Sequence, residues 1–188
     1  MKNILIVLVF SFSQVSVASN LGLGLSAESG DNFIYFPIVL SDSIRLEPFF
    51  GYSDDGEESI SGVDESYSKN SYKSKSFGAG LFKYSKLNDN VHSYFGGRIA
   101  YIETERKTEI SISLGENLIY ESLDGYSISP TIGIEYRFAN GFSTAVEAEW
   151  YYNRLEGQST GKLDLSEISE TSRERSGTGT KFIIRYVF

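Results

Sequence analysis

The sequence predicts an all-β protein: an eight-stranded antiparallel up-and-down transmembrane β-barrel, preceded by a cleavable signal peptide. Three observations lead there. Most of eight segments alternate apolar and polar residues with the two-residue period of a strand. Short Asp/Asn clusters alternate with long polar stretches between those segments. The last segment, Gly177 to Phe188, carries Thr180, Phe182, Ile184, Tyr186 and Phe188 on one face and Gly179, Lys181, Ile183, Arg185 and Val187 on the other.

Residues 1–18 read as the signal peptide and 19–188 as the barrel domain. Lys2 supplies a positive start, Ile4 to Phe10 an apolar run, and Ser16-Val17-Ala18 small residues before a cut after Ala18. No other apolar run approaches the roughly 20 residues a spanning helix needs. A membrane role therefore requires a closed barrel, which satisfies every backbone polar group in lipid. With no Cys there is no disulfide framework, thiolate nucleophile or Cys-based metal site. A net charge of −8 opposes a nucleic-acid partner. Thirteen Tyr and 13 Phe supply the aromatics that interfacial girdles require.

The eight segments are read as Asn20–Glu28, Asn32–Leu40, Ile44–Tyr52, Ser74–Leu87, Val91–Thr104, Ser122–Phe138, Phe142–Asn153 and Gly177–Phe188. In the first, Leu21, Leu23 and Leu25 alternate with Gly22, Gly24 and Ser26. The second is apolar on both faces. In the third, Ile44, Leu46, Pro48, Phe50 and Tyr52 oppose Arg45, Glu47 and Phe49. The fourth is less regular, because Phe82 and Tyr84 fall on the face assigned inward. The sixth sets Tyr126, Ile128, Pro130, Ile132, Ile134, Tyr136 and Phe138 against Ser127, Ser129, Thr131, Gly133, Glu135 and Arg137. The seventh sets Phe142, Thr144, Val146, Ala148, Trp150 and Tyr152 against Ser143, Ala145, Glu147, Glu149 and Tyr151.

Tight turns are placed at Ser41-Asp42-Ser43, Asn88-Asp89-Asn90 and Ala139-Asn140-Gly141. Long polar loops are placed at Ser53 to Lys73, Glu105 to Glu121 and Arg154 to Ser176, and a short fourth at Ser29 to Asp31. Short turns at one end and long loops at the other match outer-membrane barrels, with turns periplasmic and loops outside. An even strand count lets the first and last strands pair and removes both sheet edges.

An interior of eight strands has room for little more than its own side chains. The large aromatic set would overfill it, so the apolar faces are assigned to lipid and the charged faces to the lumen. Tyr52, Tyr101, Tyr126 and Trp150 then lie near the loop ends, and Tyr136, Phe138, Tyr186 and Phe188 near the turn ends, as two girdles. The inward set holds Arg45, Glu47, Arg98, Glu135, Arg137, Glu147, Glu149, Lys181 and Arg185. Buried charges must pair or hydrate, and a filled, ion-paired plug is favoured over a conducting constriction. Counting outward from the turns places Gly133 opposite Glu147, Ala145 opposite Glu135 and Gly80 opposite Arg98.

Catalysis finds little support. His92 is the sole histidine, two residues from a turn and on the opposite face from Ser93. No second histidine exists for a Ser/His/Asp arrangement. Glu147 and Glu149 share a face, but with arginines beside them an ion-pair network is the simpler role. The acidic run Asp54-Asp55-Gly56-Glu57-Glu58, with Asp64-Glu65, lacks the spacing of a calcium loop. No cofactor or metal is expected. Lys69, Lys73, Lys75, Lys162, Arg173 and Arg175 could meet lipopolysaccharide phosphates.

The signal segment, the eight strands, the Asp/Asn turns and the terminal Phe182–Phe188 resemble the small outer-membrane barrels of the OmpX, Ail and opacity-protein type. So does Ile34-Tyr35-Phe36-Pro37 leading to Arg45-Leu46-Glu47-Pro48-Phe49-Phe50-Gly51-Tyr52. The resemblance implies a monomeric, non-enzymatic Gram-negative outer-membrane protein with both mature termini periplasmic. Its extracellular loops would serve adhesion, host-factor binding or lipopolysaccharide contact. Partners would be outer-membrane lipids, a protein ligand at the loops, and the barrel-assembly machinery, which reads Phe182, Ile184, Tyr186 and Phe188. A small ion or solute channel is the alternative, and a lipid A-modifying enzyme a third reading.

Overall fold

The computed structural model describes residues 21–27, 32–61, 66–112, 115–138, 141–161 and 168–188. The expected signal peptide and the Ser29–Asp31 loop lie outside them. Nine strands are present among the described residues: β1 (Gly22–Ala27), β2 (Asn32–Tyr35), β3 (Ile38–Ser41), β4 (Ile44–Ser61), β5 (Ser66–Lys86), β6 (Val91–Ile112), β7 (Gly115–Arg137), β8 (Phe142–Gly161) and β9 (Ile168–Val187). Each neighbour from β3 through β9 is antiparallel, β9 pairs β1, β1 pairs β2, and β2 pairs β4. The sheet therefore closes on itself.

Nine strands occupy eight positions in the ring, because β2 and β3 share one. The predicted second strand is broken at Phe36-Pro37. Pro37 has no N–H to give a ladder, and Pro48 on the facing strand has none either. The carbonyls of these two prolines still bond, to Gly22 N and to Phe36 N, both at 2.8 Å. The break thus interrupts the strand without opening the wall.

Alternation sets the two faces. Leu21, Leu23 and Leu25 are exposed on the outside, while Gly22, Gly24 and Ser26 are buried on the inside. Ile99, Ile132, Ile134 and Val146 are 65%, 62%, 57% and 57% exposed. Bulky aromatics rim this aliphatic belt. At the turn end, Tyr136 packs on Phe138, Phe138 on Phe142, and Tyr186 on Phe188, with ring centroids 4.8, 5.5 and 5.1 Å apart. At the other end Phe77 lies 5.3 Å from Tyr101, which pairs across the ladder with Tyr126.

The three long polar stretches are not loops over most of their length. Ser53–Ser61 pairs with Ser66–Lys73, Glu105–Ile112 with Gly115–Glu121, and residues 154–160 of β8 with 168–174 of β9. These arms are polar on both faces in sequence, so no hydrophobic alternation marks them as strands. Antiparallel main-chain bonding continues the ladder. The β8 arm runs nine residues past Tyr152, about 30 Å along the strand. Among the described residues the pairing of β1 and β2 runs as far as Ala27 and Asn32, opposite Phe182 and Tyr52. Above those pairs β4 and β9 each have one ladder side unpaired among the described residues.

Candidate functional site

Inside the ring, eight of the nine sequence-predicted lumen residues are buried: Arg45, Glu47, Arg98, Glu135, Glu147, Glu149, Lys181 and Arg185. Arg137 sits at the turn-end rim with its side chain 37% exposed. The turn-derived register is the observed one: Gly133 faces Glu147, Glu135 faces Ala145 and Gly80 faces Arg98. That register brings charges from β4, β6, β7, β8 and β9 to one level.

Four cations meet four anions there. Arg98 grips Glu147 with two N–H donors, Nη1 to Oε2 at 2.7 Å and Nη2 to Oε1 at 2.9 Å. Arg45 grips Glu135 in the same way at 2.9 and 3.4 Å. Arg185 lies between them. Its Nη2 donates to Glu147 Oε1 at 3.0 Å and to Glu47 Oε2 at 3.2 Å, and its Nη1 stands 3.6 Å from Glu135 Oε2. Arg185 Nε and Glu47 Oε1 form an ion pair at 3.1 Å, off-line for a hydrogen bond. Lys181 Nζ pairs with Glu149 Oε1 at 2.8 Å. Planar guanidinium forks suit such shared, two-point pairing. The matched numbers let the chain remove these groups from water without stranding a charge.

Aromatic rings complete the plug, and sequence reasoning singled out few of them. Tyr94 donates to Glu147 Oε1 at 2.7 Å, and Tyr84 accepts from Arg45 Nη1 at 2.8 Å. The Arg98 guanidinium lies 4.7 Å from the Phe82 ring centre, and the Arg45 guanidinium 4.2 Å from that of Tyr84. The apparent irregularity of the fourth predicted strand is thus the base on which two arginines rest. Tyr94 could have been found by parity with Arg98 and by its facing Gly133. A Cβ at Gly133 would stand 2.4 Å from Tyr94 Cζ, so only glycine leaves room for the ring.

Two cavities flank the plug. One, about 610 Å³, opens at the turn end and is lined by Arg45 and Glu135 among others. The other, about 340 Å³, opens toward the long hairpins and is lined by Arg98, Glu149 and Lys181 among others. No residue lines both. Between them stand Tyr35, Glu47, Phe82, Tyr94, Glu147 and Arg185, each 1% exposed or less. The lumen is closed by a solid septum.

A charged, filled interior inside an apolar, aromatic-rimmed exterior is the reverse of a water-soluble barrel. Soluble monomers rarely expose a continuous apolar patch above a few hundred Å², whereas here the apolar belt occupies the outward face of the ring. This is an outer-membrane β-barrel fold. The chain is similar to Ail, the attachment invasion locus protein of Yersinia pestis, at 15% identity and TM-score 0.44, over 89% of this chain and 93% of that one. It is similar to Neisserial surface protein A at 13% identity and TM-score 0.45, over 90% and 94%. It is also similar to the outer membrane protease OmpT of Escherichia coli at 16% identity and TM-score 0.47, over 84% of this chain and 62% of OmpT. No family model and no curated protein matches the sequence.

His92 lies at the turn end of β6, buried, with Nδ1 lacking a hydrogen-bond partner among the described residues. Ser93 pairs with Ile134 on the outward face, so the two do not meet. No cluster of three or more His, Asp or Glu suited to a metal occurs among the described residues. In the acidic stretch, Asp54 accepts from Tyr52 Oη at 2.9 Å and lies 3.9 Å from Lys73 Nζ. Of the surface cations, Arg173 pairs with Glu121 at 2.8 Å. Lys162, Asp64 and Glu65 lie outside the described residues. The terminal strand places Phe182, Ile184, Tyr186 and Phe188 on the lipid-facing side, and Phe188 N donates to Leu21 O at 2.9 Å.

Proposed function

We propose that this protein is a non-enzymatic outer-membrane barrel of a Gram-negative bacterium that works through its protruding hairpins. They would make contact outside the cell with a protein ligand or with lipopolysaccharide. The observation that carries this reading is the division of labour along the barrel axis. The membrane level is blocked by the septum, while three paired arms of largely polar sequence continue well past the aromatic rim. A wall that carries no traffic and a sheet raised into solvent favour recognition over transport. The ladder sides of β4 and β9 above Ala27 and Asn32, unpaired among the described residues, add backbone donors and acceptors to that surface. Arg173, Arg175, Lys73 and Lys75 give it cations suited to phosphate groups.

In this orientation the turns and both mature termini face the periplasm, and a single ring closed without a partner suits a monomer. The terminal strand would guide barrel assembly. The test is binding by a trimmed protein. Replacing residues 155–173 with a two-residue turn should leave a heat-modifiable barrel and abolish attachment to host-cell surfaces or to lipopolysaccharide-coated beads. Full binding by the trimmed barrel would overturn the reading.

A further inference from the structure

The inward face changes character on the hairpin side of the septum. At the septum it carries Phe82, Tyr94, Arg98 and Glu147, which fill the lumen. Further along the same faces the side chains are small: Ser76 and Ser74 on β5, Ala100 on β6, Ser129 and Ser127 on β7. All five line the cavity of about 340 Å³ that opens toward the hairpins. Small residues at successive inward positions leave this part of the lumen unfilled.

The larger rings at this level rest against the wall. Tyr151 passes over Gly177 of β9, where a Cβ would stand 2.5 Å from its Oη and 2.7 Å from its Cζ. Phe33 passes over Gly51 of β4, where a Cβ would stand 2.5 Å from its Cε1. Both rings line the cavity and both are half-buried, so each keeps part of its surface toward the open space.

The polar lining is of one chemical kind. Ser53 and Thr104 spend their hydroxyls on Asp55 and on the Leu123 carbonyl. Ser76, Ser127 and Ser129 make no side-chain hydrogen bond among the described residues, and their oxygens are open to the cavity. A hydroxyl donates once and accepts twice, so a matching ligand must do both as well. The charges at the floor are already engaged: Lys181 with Glu149 at 2.8 Å, and Arg98 with Glu147 at 2.7 and 2.9 Å. The floor therefore offers no unspent ion. A pocket of this volume stands at the lower end of the range for small-molecule sites, about 300–1,000 Å³.

We propose that this cup holds a single uncharged sugar ring, such as the end of a glycan chain. The C–H face of the sugar lies on Tyr151, whose ring face carries the negative end of its quadrupole. The sugar hydroxyls exchange hydrogen bonds with Ser76, Ser127 and Ser129. The site is inside the ring, below the paired arms, and is independent of what the hairpins contact.

The full mature barrel, folded in lipid nanodiscs, is mixed in turn with glucose, galactose, mannose and N-acetylglucosamine, and with sorbitol, which has the hydroxyls without the ring. Binding is read by saturation-transfer NMR. The expected result is saturable transfer to at least one of the four sugars, with none to sorbitol at equal concentration. Ser129→Leu fills the cup and should weaken that sugar by about tenfold or more. Tyr151→Ala removes the platform and should weaken it severalfold. A retained heat-modifiable gel band shows that each variant folds, and Ser127→Leu serves if Ser129→Leu loses the band. Absence of saturable binding by all four sugars overturns the proposal. So does equal binding of sorbitol, or unchanged affinity in the folded variants. The readout is direct binding to the purified barrel, so it stands or falls separately from attachment through the hairpins.

Discussion

Arg98 on β6 and Glu147 on β8 face each other across the barrel interior, joined by two hydrogen bonds of 2.7 and 2.9 Å, with neither side chain more than 4% exposed. Each also touches a third charge: Arg98 Nη2 lies 3.4 Å from Glu47, and Glu147 accepts from Arg185. The pair is the centre of a network and its strength is shared. Removing either member leaves the other charge buried and uncompensated, which costs about 3–5 kcal/mol. Glu147→Gln and Arg98→Met should each lower the urea midpoint of the refolded barrel strongly. The double variant should lose clearly less than the sum of the two. Additive losses in that cycle would mean that the two side chains are not coupled.

The septum has an electrical consequence. Planar bilayers carrying the folded protein should show no steady single-channel steps, because six side chains that are 1% exposed or less separate the two cavities. Reproducible steps from the unmodified barrel, abolished or resized by substitutions at Arg98, would instead make the lumen a pore.

Gly133 and Gly161 offer a matched comparison on neighbouring strands. A methyl group at Gly133 would meet Tyr94 Cζ at 2.4 Å, whereas one at Gly161 meets nothing within 4 Å among the described residues. Gly133→Ala should cost about 1–3 kcal/mol through overpacking. Gly161→Ala should fall within about 0.5 kcal/mol of the parent. Thermal loss of the fast-migrating gel band would rank them, and equal behaviour would contradict the observed placement of the Tyr94 ring.

The terminal aromatic tests assembly apart from stability. Phe188 is 66% exposed and its ring meets that of Tyr186, so Phe188→Ser should barely alter the refolded barrel. In cells the same change should lower the amount inserted, if the assembly machinery reads that residue. Unchanged insertion in a pulse-chase experiment would remove Phe188 from the signal.

At the Asn88–Asn90 turn, Lys86 Nζ bonds Asp89 Oδ1 at 2.8 Å and holds that exposed carboxyl below its ordinary range. A carboxyl depressed in the folded state stabilises above its unfolded pKa and stops doing so as pH falls through the folded value. NMR titration of Asp89 should show the depressed midpoint, and Lys86→Gln should return it toward normal.

What the sequence made legible follows from the period of two. Wherever one face met lipid and the other the lumen, alternation named both, as at Tyr126–Phe138 and Phe142–Tyr152. Counting from the turns then set the register of Gly133 and Glu147. Where both faces meet the same medium, the period carries no signal. Glu105–Ile112 and Gly115–Glu121 are strands whose sequence is polar on each face, and they read as loops. Tyr94 went unranked for the opposite reason: an aromatic ring is expected on the lipid side, and only its parity with the buried Arg98 reveals it inside, whereas Phe82 and Tyr84 fall inward by count but read as an irregularity. The split at Phe36-Pro37 needed knowledge of Pro48 on the facing strand, a contact that sequence order does not show.

The raised arms are held mainly by main-chain ladders, with a few cross-strand side-chain ties such as Arg173–Glu121 and Thr108–Asn70. A backbone ladder asks little of the side chains it carries, so substitutions there should alter the outer surface without moving the strands, whereas a change at the Arg98–Glu147 level strands a buried charge. One chain thereby joins a permissive outer sheet to an exacting stem.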